Sequence, residues 1–261
     1  MNGVSDSRKS FWIKSLKGSV KADFIGIQKS HQAGIDDYAA RRFWDNSNLK
    51  ADSVDSVGRS GGLLSIWNPD VFSVDMVAKN PRYLLTSGYI SGVVNRINIL
   101  NIHAPNEAGR RRTLWDDLVV LISQYSGLWL LLGDFNEVRS EVERVNSRFD
   151  RGSSDAFNGF ISNAGLLEYS MSRGKFTFIS GHSEVKMSKL ERFLANDAFL
   201  SQWPNARMSV HKRGFSDHCP ISLSCLAADF GPIPFNFFNS WIGELKLVEI
   251  VDRGLNNSGV V

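Results

Sequence analysis

The chain has 261 residues, of which 43% are hydrophobic and 22% are charged, and its formal net charge is +3. These values are ordinary for a folded globular protein, so the composition excludes an intrinsically disordered chain, and the length suffices for one large domain or two small ones. The mild excess of positive charge permits contact with nucleic acid without indicating it.

The cysteine count and the hydropathy of the sequence indicate the cellular compartment of the protein. The only cysteines are Cys219 and Cys225, which are roughly 20 Å apart if both lie on one strand and then cannot form a disulfide with each other. Two thiols without a disulfide framework indicate a reducing, intracellular compartment. The sequence shows no signal peptide and no apolar run near the ~18 residues that a membrane-spanning helix needs, so we expect no membrane partner.

The first sixty residues predict one helix, one strand and a long irregular region. Asp6 or Ser7 is a suitable cap for a helix that continues through Leu16. Residues 24–28, FIGIQ, are predicted to form a short buried strand. Residues 29–60 are polar and rich in Asp and Ser, and we predict that they are irregular.

The next segment predicts four strands. Residues 61–67, GGLLSIW, are predicted to form the first, and residues 71–77 alternate apolar and polar side chains as a half-exposed strand does. Residues 83–90 and 93–103 are predicted to pair as a hairpin whose turn is Ser91-Gly92.

The clearest helix and the most apolar strand follow one another. Residues 109–125 carry apolar side chains at helical spacing, and Gly127 is expected to end the helix. Residues 130–136, LLLGDFN, are predicted to form a buried strand that ends in polar residues. The charged segment 137–152 is predicted to be a surface loop.

The elements after this loop are shorter. Ser153 or Ser154 is expected to cap a helix that carries aromatic side chains on one face. Three segments follow: a strand over 176–179, a strand or helix over 189–203, and a last strand over 221–226.

The character of the sequence changes after residue 226. Pro232, Pro234 and a Phe-rich patch lead into a tail without core periodicity. We therefore predict one α/β domain over residues 1–226 and a connector over residues 227–261.

Polar side chains gather at the predicted strand ends. Asp134 and Asn136 are two residues apart, so strand alternation points them to the same side, where they can bind a hard cation, orient a water or hold a phosphate. An ordinary Asp/Asn turn after a strand is the alternative interpretation. His103 ends another strand, and Asp217-His218 precedes a third. Open α/β sheets build their sites from residues in such positions.

Taken together, these segments resemble the endonuclease/exonuclease/phosphatase superfamily, whose members hydrolyse phosphate esters with Mg²⁺. The motifs that carry the resemblance are FIGIQ, GGLLSIWN, NIHAPN, LLLGDFN, KLERFL and FSDHCPIS. With the tail GPIPFNFFNSW, their spelling is similar to the endonuclease domain of plant LINE-type non-LTR retrotransposon polyproteins. The resemblance implies an α/β four-layer sandwich of two mixed β-sheets flanked by helices, here without its first strand.

The resemblance also implies roles for individual residues. Asp134 would act on the attacking water or the leaving group, and Asn136 would hold the phosphate. Asp217 would lie at the metal, and His218 would contact the scissile phosphate. The expected cofactor is Mg²⁺ or Mn²⁺, as one or two ions, with Asp134, Asn136, Asp217 and His218 as its ligands.

Two of the implied site residues differ from the family pattern but keep its chemistry. Glu191 replaces the Asp that pairs with the family's histidine and is one methylene longer. His103 replaces a Tyr that contacts phosphate, and a neutral or protonated imidazole can donate a similar hydrogen bond.

A third difference affects the metal site directly. Lys29 stands where the family has a metal-binding Glu, and an ammonium group offers no lone pair to a cation. Two positive centres about 4 Å apart repel each other by several kcal/mol. With the metal-site Asn of the first strand also missing, we predict a weakened or inactive enzyme.

Basic residues suggest where a nucleic acid would lie. Arg110, Arg111 and Arg112 start a helix, where the helix dipole disfavours cations, and Lys212 and Arg213 precede the Asp-His pair. We expect these side chains to contact a DNA backbone, although a solvated helix end explains the three arginines equally well.

Three functional hypotheses follow. The first is a Mg²⁺-dependent DNA endonuclease of retrotransposon type, expected in the nucleus and joined to a reverse transcriptase in an intact polyprotein. The second is a non-catalytic remnant that binds nucleic acid. The third is a phosphatase or phospholipase of the same superfamily, against which the retroelement-like tail counts.

Overall fold

The structure is a computed structural model that describes residues 7–57, 60–171, 174–181 and 184–225. The predicted connector over residues 227–261 and the candidate cap Asp6 lie outside the described residues.

The described part of the chain contains helices and strands in alternation. Its α-helices are α1 (Ser7–Val20), α2 (Asp37–Ala40), α3 (Ala108–Gln124), α4 (Arg151–Asn163) and α5 (Asp197–Gln202), and its 3₁₀ helices are Arg41–Phe43 and Glu141–Glu143. The strands are β1 (Phe24–Gln28), β2 (Lys50–Val57), β3 (Ser60–Trp67), β4 (Phe72–Asn80), β5 (Tyr83–Ile90), β6 (Ile97–His103), β7 (Leu128–Asp134), β8 (Arg144–Val145), β9 (Leu166–Glu168), β10 (Phe178–Ser180), β11 (Lys186–Ser188), β12 (Glu191–Asn196), β13 (Arg207–Val210) and β14 (Ile221–Ser224).

The main sheet has six strands in the order β4-β5-β6-β7-β12-β9. Only the central pair, β6 and β7, is parallel among its pairings, and α3 connects these two strands. Every residue of β6 and β7 is buried. Burial on both faces explains why β7 is a nearly continuous run of apolar residues instead of an alternating one.

Each face of this sheet packs against a different layer. On the outer face, Trp115 of α3 stacks on Phe160 of α4 and contacts Phe157. On the inner face, Leu130 and Leu132 pack with side chains of β1, β13 and β14. The other side of β1 and β3 is covered by a third cluster that includes Phe43, Trp44 and part of α1.

The layers are therefore stacked in the order helix, sheet, sheet, helix, and the predicted four-layer α/β sandwich is confirmed. None of the helices in the described ranges is both long and apolar enough to cross a lipid bilayer.

The second sheet layer is divided. It consists of a three-stranded sheet, β2-β3-β1, and a separate pair, β13-β14. Residues 1–6, which precede α1, lie outside the described residues, so the absence of the first strand stays a prediction. We call the break between these two groups of strands, of which β1 and β14 are border strands, the seam.

A small third sheet, β10-β11-β8, supports the segment before β14. Ile179 donates a backbone hydrogen bond of 2.8 Å to Asp217, and Cys219 donates one of 2.6 Å to Thr177. Phe178 and His218 form a bridge between these two segments. The Asp-His pair is therefore held by backbone contacts on one side.

The prediction that residues 29–60 are irregular is wrong. This range contains α2, a 3₁₀ helix and the eight-residue strand β2. The sequence of β2, KADSVDSV, has only two β-branched residues, Val54 and Val57, and none of the aromatic residues that mark many strands. It is a strand because it pairs with β3 along its whole length.

The predicted hairpin between β5 and β6 needs a correction. Gly92 takes a positive φ of 81°, as a turn residue does, but β6 begins at Ile97 and not at Val93. Val94 is exposed, so its apolar character does not reflect a place in the sheet.

The elements around residue 150 also differ from the prediction. The cap of α4 is Asp150, whose carboxylate accepts a hydrogen bond of 2.8 Å from the Ser153 amide, and not Ser153 or Ser154. Residues 137–152 are not simply a surface loop, because Glu137 and Val138 are buried. The undecided segment 189–203 contains both a strand, β12, and a helix, α5.

Gly133 allows β7 to lie against its parallel neighbour. Its φ is +135°, and a Cβ atom there would lie 2.1 Å from the carbonyl oxygen of Ile102 in β6. Since both strands are central, neither backbone has room to move. We expect Gly133→Ala to lower the free energy of unfolding by more than about 2 kcal/mol.

Urea unfolding followed by tryptophan fluorescence measures this loss. Gly109→Ala is the matched control, because Gly109 lies in α3 with open space around it. The control is expected to gain about 0.5–1 kcal/mol from helix propensity. Equal stability of the two variants would contradict the argument.

Candidate active site

Three polar side chains form a row across the centre of the main sheet. In the register of the strands, His103 at the end of β6 lies beside Asp134 at the end of β7, and Asp134 lies opposite Glu191 at the start of β12. Leu130 and Leu132 face the second sheet layer, so alternation along β7 points Asp134 into the same space. The row therefore lies where the apolar layer between the sheets ends.

A fourth side chain reaches this row from the other sheet layer. The Nδ1 atom of His218 is hydrogen-bonded to Oε1 of Glu191, and the imidazole packs against Phe178 with ring centroids 4.9 Å apart. Ligand atoms of Asp134, Glu191 and His218 all lie within 4.8 Å of one another. The Asp217 carboxylate is 3.8 Å from Nε2 of His218.

Asn136 is held at the edge of the cluster. Its φ of 50° is left-handed, its amide nitrogen Nδ2 donates to the carbonyl oxygen of Ala104 at 2.7 Å, and its backbone N–H donates to Oδ1 of Asp134 at 3.0 Å. These bonds fix the orientation of the Asp134 carboxylate as well as that of the Asn136 side chain.

Lys29 occupies the cluster itself. It follows β1 directly, takes a left-handed φ of 59°, and its side chain is 34% exposed. Its Nζ atom lies 3.0 Å from Oδ2 of Asp134 and 3.5 Å from Nε2 of His218. The ammonium group therefore stands beside the carboxylate that would bind a metal ion.

Glu191 and His218 alter one another's titration. Burial disfavours the imidazolium, but the hydrogen bond and charge of Glu191 outweigh this effect and raise the pKa of His218 above its ordinary value. Burial also raises the pKa of Glu191, although its bond to His218 opposes the change.

His103 behaves in the opposite way. Burial lowers the pKa of His103 from 6.5 to about 4, although the nearby charge of Asp134 opposes the change. Of the two protonation states that the sequence left open, the structure therefore supports the neutral imidazole at pH 7.

This depressed pKa makes stability depend on pH. Between the folded pKa of about 4 and the ordinary value of 6.5, the unfolded chain binds a proton at residue 103 that the folded protein does not. The free energy of unfolding contributed here is complete above pH 6.5 and decreases as the pH falls toward 4. His103→Gln is expected to remove this part of the acid destabilisation.

Urea unfolding of both proteins at about pH 7.5 and about pH 5 measures the effect. The quantity to compare is the loss of stability between the two pH values, which is expected to be smaller for His103→Gln than for the unchanged chain. An equal loss in both proteins would contradict a buried neutral His103.

The basic residues predicted to contact DNA lie in different settings. Arg111 is buried and donates to the Glu137 carboxylate at 2.6 Å, so its guanidinium serves the packing of α3. Arg110 and Arg112 are exposed, with Arg110 paired to Glu107 in the same turn. Lys212 and Arg213 are exposed in the loop before β14.

Three residues that sequence analysis did not single out support the cluster. Gln28 donates to the Asn101 side chain at 2.6 Å and so ties β1 to β6. Thr177 is buried, and its hydroxyl accepts hydrogen bonds from the backbone N–H groups of residues 190 and 191. Only the position of Asn101 two residues before His103 on one strand gave a signal for any of them.

The donor set suits a hard divalent cation in part. Carboxylate oxygens and an imidazole nitrogen are common ligands of such ions, and Asp134, Glu191 and His218 present them to one point. The Lys29 ammonium at 3.0 Å from Asp134 already neutralises one of these carboxylates. A metal ion binding there competes with this ion pair.

Comparison with solved structures identifies the fold. No protein-family model matches the sequence, and no curated protein matches it. AP endonuclease LMAP from Leishmania major superposes with a TM-score of 0.64 at 11% identity, over 83% of this chain and 82% of that one. The endonuclease domain of TRAS1, a telomere-specific non-LTR retrotransposon, superposes with a TM-score of 0.59 at 12% identity, over 82% of this chain and 91% of that one.

A third similar structure is a 3′ phosphatase, NExo, from Neisseria, bound to a product DNA hairpin. It superposes with a TM-score of 0.61 at 13% identity, over 82% of this chain and 92% of that one. At these identities the similarity establishes the fold. The chain therefore has the DNase I-like fold of these structures.

Proposed function

We propose that this DNase I-like chain is a phosphodiester hydrolase of DNA, of the retrotransposon endonuclease type, whose hydrolysis is strongly weakened by Lys29. The observation that carries the proposal is the convergence of Asp134, Glu191 and His218 within 4.8 Å at the strand ends, with the Lys29 ammonium 3.0 Å from Asp134. The first feature supports the chemistry, and the second supports its weakening.

The similar structures agree with DNA as the substrate class. They include an AP endonuclease, a retrotransposon endonuclease domain and a 3′ phosphatase bound to a product DNA hairpin. In this proposal the exposed Arg110, Arg112, Lys212 and Arg213 contact the DNA backbone. The nucleus is the proposed compartment, and a reverse transcriptase is the proposed partner in an intact polyprotein.

The residues of the cluster divide the hydrolysis between them. Asp134 accepts a hydrogen bond from the attacking water and takes its proton as the new P–O bond forms. The P–O bond to the leaving oxygen breaks in the same displacement, and that oxygen takes up a proton from solvent water. His218, held by Glu191, donates a hydrogen bond to a non-bridging phosphate oxygen whose negative charge grows in the transition state. Asn136 and neutral His103 hold the phosphate in place.

The proposed cofactor is Mg²⁺ or Mn²⁺, as one or two ions. Asp134, Asn136, Asp217 and His218 are its proposed ligands, and Glu191 adds a further carboxylate at the same point. A bound divalent ion would supply charge neutralisation at the phosphate. The Lys29 ammonium supplies part of that charge already but cannot exchange ligands, which is why we propose slow hydrolysis rather than normal turnover.

A plasmid-nicking assay tests the proposal. The full chain is incubated with supercoiled plasmid and Mg²⁺, Mn²⁺ or EDTA, beside the variants Asp134→Asn and His218→Gln. We expect slow nicking that requires a divalent ion and that both substitutions abolish. Nicking that persists in both variants would show that another protein causes it and would contradict the proposal.

A complete lack of nicking together with tight binding of DNA would favour the second candidate, a non-catalytic remnant. The ion pair between Lys29 and Asp134 is the observation that favours this candidate. Faster release of phosphate from a 3′-phosphorylated oligonucleotide, or faster turnover of a phospholipid, than nicking of DNA would favour the third, a phosphatase or phospholipase.

A further inference from the structure

An apolar cleft lies beside the candidate active site and has no part in the proposed hydrolysis. It is formed by aromatic side chains of α1 and of the loop before β14, and its volume is about 590 Å³. Its lining residues are Ser7, Arg8, Phe11, Trp12, Ser15 and Phe215. We call this surface the aromatic cleft.

The aromatic cleft exposes two large rings, and the loop backbone packs against a third. Phe11 is 72% exposed and Phe215 is 45% exposed. Trp12 meets Phe215 edge-on with ring centroids 6.4 Å apart, and the Arg8 guanidinium lies 5.7 Å from the centroid of Phe215. A Cβ atom at Gly214 would lie 2.5 Å from the Trp12 ring, so the loop backbone packs directly against this ring.

Within α1 and the loop segment 211–215, every charged side chain is basic. Helix α1 contains no Asp or Glu over its fourteen residues, and the loop segment 211–215, HKRGF, contains none. Three basic residues are close in the chain to residues that line the cleft: Lys14 on α1, and Lys212 and Arg213 on the loop. The nearest acidic residue along the loop is Asp217, which belongs to the candidate active site.

This combination of rings and cations favours one kind of partner. Aromatic faces stack on bases, and the surrounding cations interact with the phosphates that join them. An apolar protein segment would fill the same space but would bring no negative charge to the exposed Lys212 and Arg213. The cations favour a negatively charged polymer, and the exposed rings favour one with flat bases that can stack. A single-stranded nucleic acid has both properties.

The position of the aromatic cleft connects it with the candidate active site. Phe215 precedes His218 by three residues, so their Cα atoms are at most about 11 Å apart. A base that enters the cleft is thus attached to a strand that passes the phosphate-binding side chains. In a paired duplex the bases are stacked inside the helix, so only an unpaired or extruded base reaches the cleft.

We propose that the aromatic cleft binds an unpaired base of single-stranded DNA next to the candidate active site. The inference rests on the proposed function only in taking DNA as the ligand. It adds a preference for DNA with unpaired bases, which the Asp134–Glu191–His218 cluster does not provide.

Binding of a fluorescein-labelled oligothymidine to the full chain, followed by fluorescence anisotropy in EDTA, tests the proposal. We expect Phe215→Ala to weaken binding by roughly 5- to 150-fold, the range found when a stacking residue is replaced by alanine. Phe215→Trp is expected to keep the affinity, because it keeps a flat ring. Tyr38→Ala is the matched control, since Tyr38 is 90% exposed on α2, and its binding is expected to equal that of the unchanged chain.

A second measurement separates stacking from attraction between charges. An oligonucleotide that carries 2-aminopurine loses fluorescence when this base stacks on a ring, and we expect this quenching with the unchanged chain and not with Phe215→Ala. If Phe215→Ala binds as tightly as the unchanged chain, or if the chain binds no oligonucleotide because residues 227–261 or a protein partner fill the cleft, the inference is overturned.

The outcome is independent of hydrolysis because EDTA removes divalent ions. Base stacking without any nicking would support the base-binding inference and contradict the nuclease proposal. Nicking without any effect of Phe215→Ala on oligonucleotide binding would do the reverse.

Discussion

Replacing Lys29 by glutamate is expected to raise Mg²⁺-dependent nicking of plasmid DNA by about 100-fold or more. The substitution removes the ammonium group that lies 3.0 Å from Oδ2 of Asp134 and puts a carboxylate in its place. A metal ion at a phosphoryl centre contributes several kcal/mol to the stability of the transition state, and each 1.4 kcal/mol or so is a factor of about ten in rate.

Lys29→Gln is the matched control for this experiment. It removes the positive charge without adding a negatively charged ligand, so its nicking rate is expected to fall between those of the unchanged chain and Lys29→Glu. Adding Asp134→Asn to Lys29→Glu is expected to abolish the gain. If Lys29→Glu nicks no faster than Lys29→Gln, then a missing ligand at position 29 is not what limits the site.

Thermal unfolding gives a second measure that does not depend on DNA. Without metal, Lys29→Glu brings a new carboxylate toward those of Asp134 and Glu191, so its melting temperature is expected to lie below that of the unchanged chain. Mg²⁺ is expected to restore stability in Lys29→Glu, since a ligand that binds only the folded state stabilises it. The unchanged chain is expected to respond much less.

Replacing Arg192 by methionine is expected to lower the free energy of unfolding by about 3–5 kcal/mol. Arg192 is fully buried on the outer face of β12, with Nη1 2.5 Å from Glu168 and Nη2 2.5 Å from Glu143. Its guanidinium also lies 5.5 Å from the centroid of Phe157. Methionine fills the space but leaves two buried carboxylates with less compensating charge.

The pKa of Glu168 shows how strongly the buried ion cluster of Arg192, Glu143 and Glu168 depends on its cations. Burial by itself would raise the pKa of Glu168, yet Arg192 and Lys189 hold it at about 2. Loss of Arg192 removes the first of these two charges while the carboxylate stays buried. The remaining partners are Lys189, at 2.7 Å, and Arg139, at 2.9 Å.

Arg151→Met is the matched control for Arg192→Met. Arg151 is 89% exposed on α4, and its pairing with Asp155 spans 3.8 Å in solvent. The control is expected to change stability by less than about 0.5 kcal/mol. Urea unfolding of both variants measures the difference, and a loss below about 1 kcal/mol for Arg192→Met would show that the buried cluster is dispensable.

The sequence allowed the fold and the strand ends of the site to be predicted because these depend on local patterns. The run of leucines in β7 indicated a buried strand, and its end fixed where Asp134 had to lie. The resemblance to the endonuclease/exonuclease/phosphatase superfamily then supplied Glu191 and His218 as neighbours. In the structure these residues approach one another across three elements.

Other features depend on contacts between distant segments and could not be predicted in this way. Strand β2 carries small polar residues, and its conformation comes from pairing with β3. Arg111 was expected at the surface because its sequence neighbours are arginines, but its partner Glu137 lies 26 residues away. Arg192 was not singled out, because its partners are distant in the chain: two strands separate it from Glu168, and four strands and a helix separate it from Glu143.

The seam makes the second sheet layer easier to open by local fluctuation than the centre of the main sheet. Strands β6 and β7 have a partner on each side, whereas β1 and β14 each have one partner among the strands of the described ranges. The main-chain groups on the outer side of such a border strand have no strand partner, so a fluctuation that parts the border breaks few hydrogen bonds. Lys29 leaves β1 at this border and reaches toward His218 beside β14. The side chain that competes with a metal ion for Asp134 therefore also ties the end of β1 to the main sheet through this ion pair.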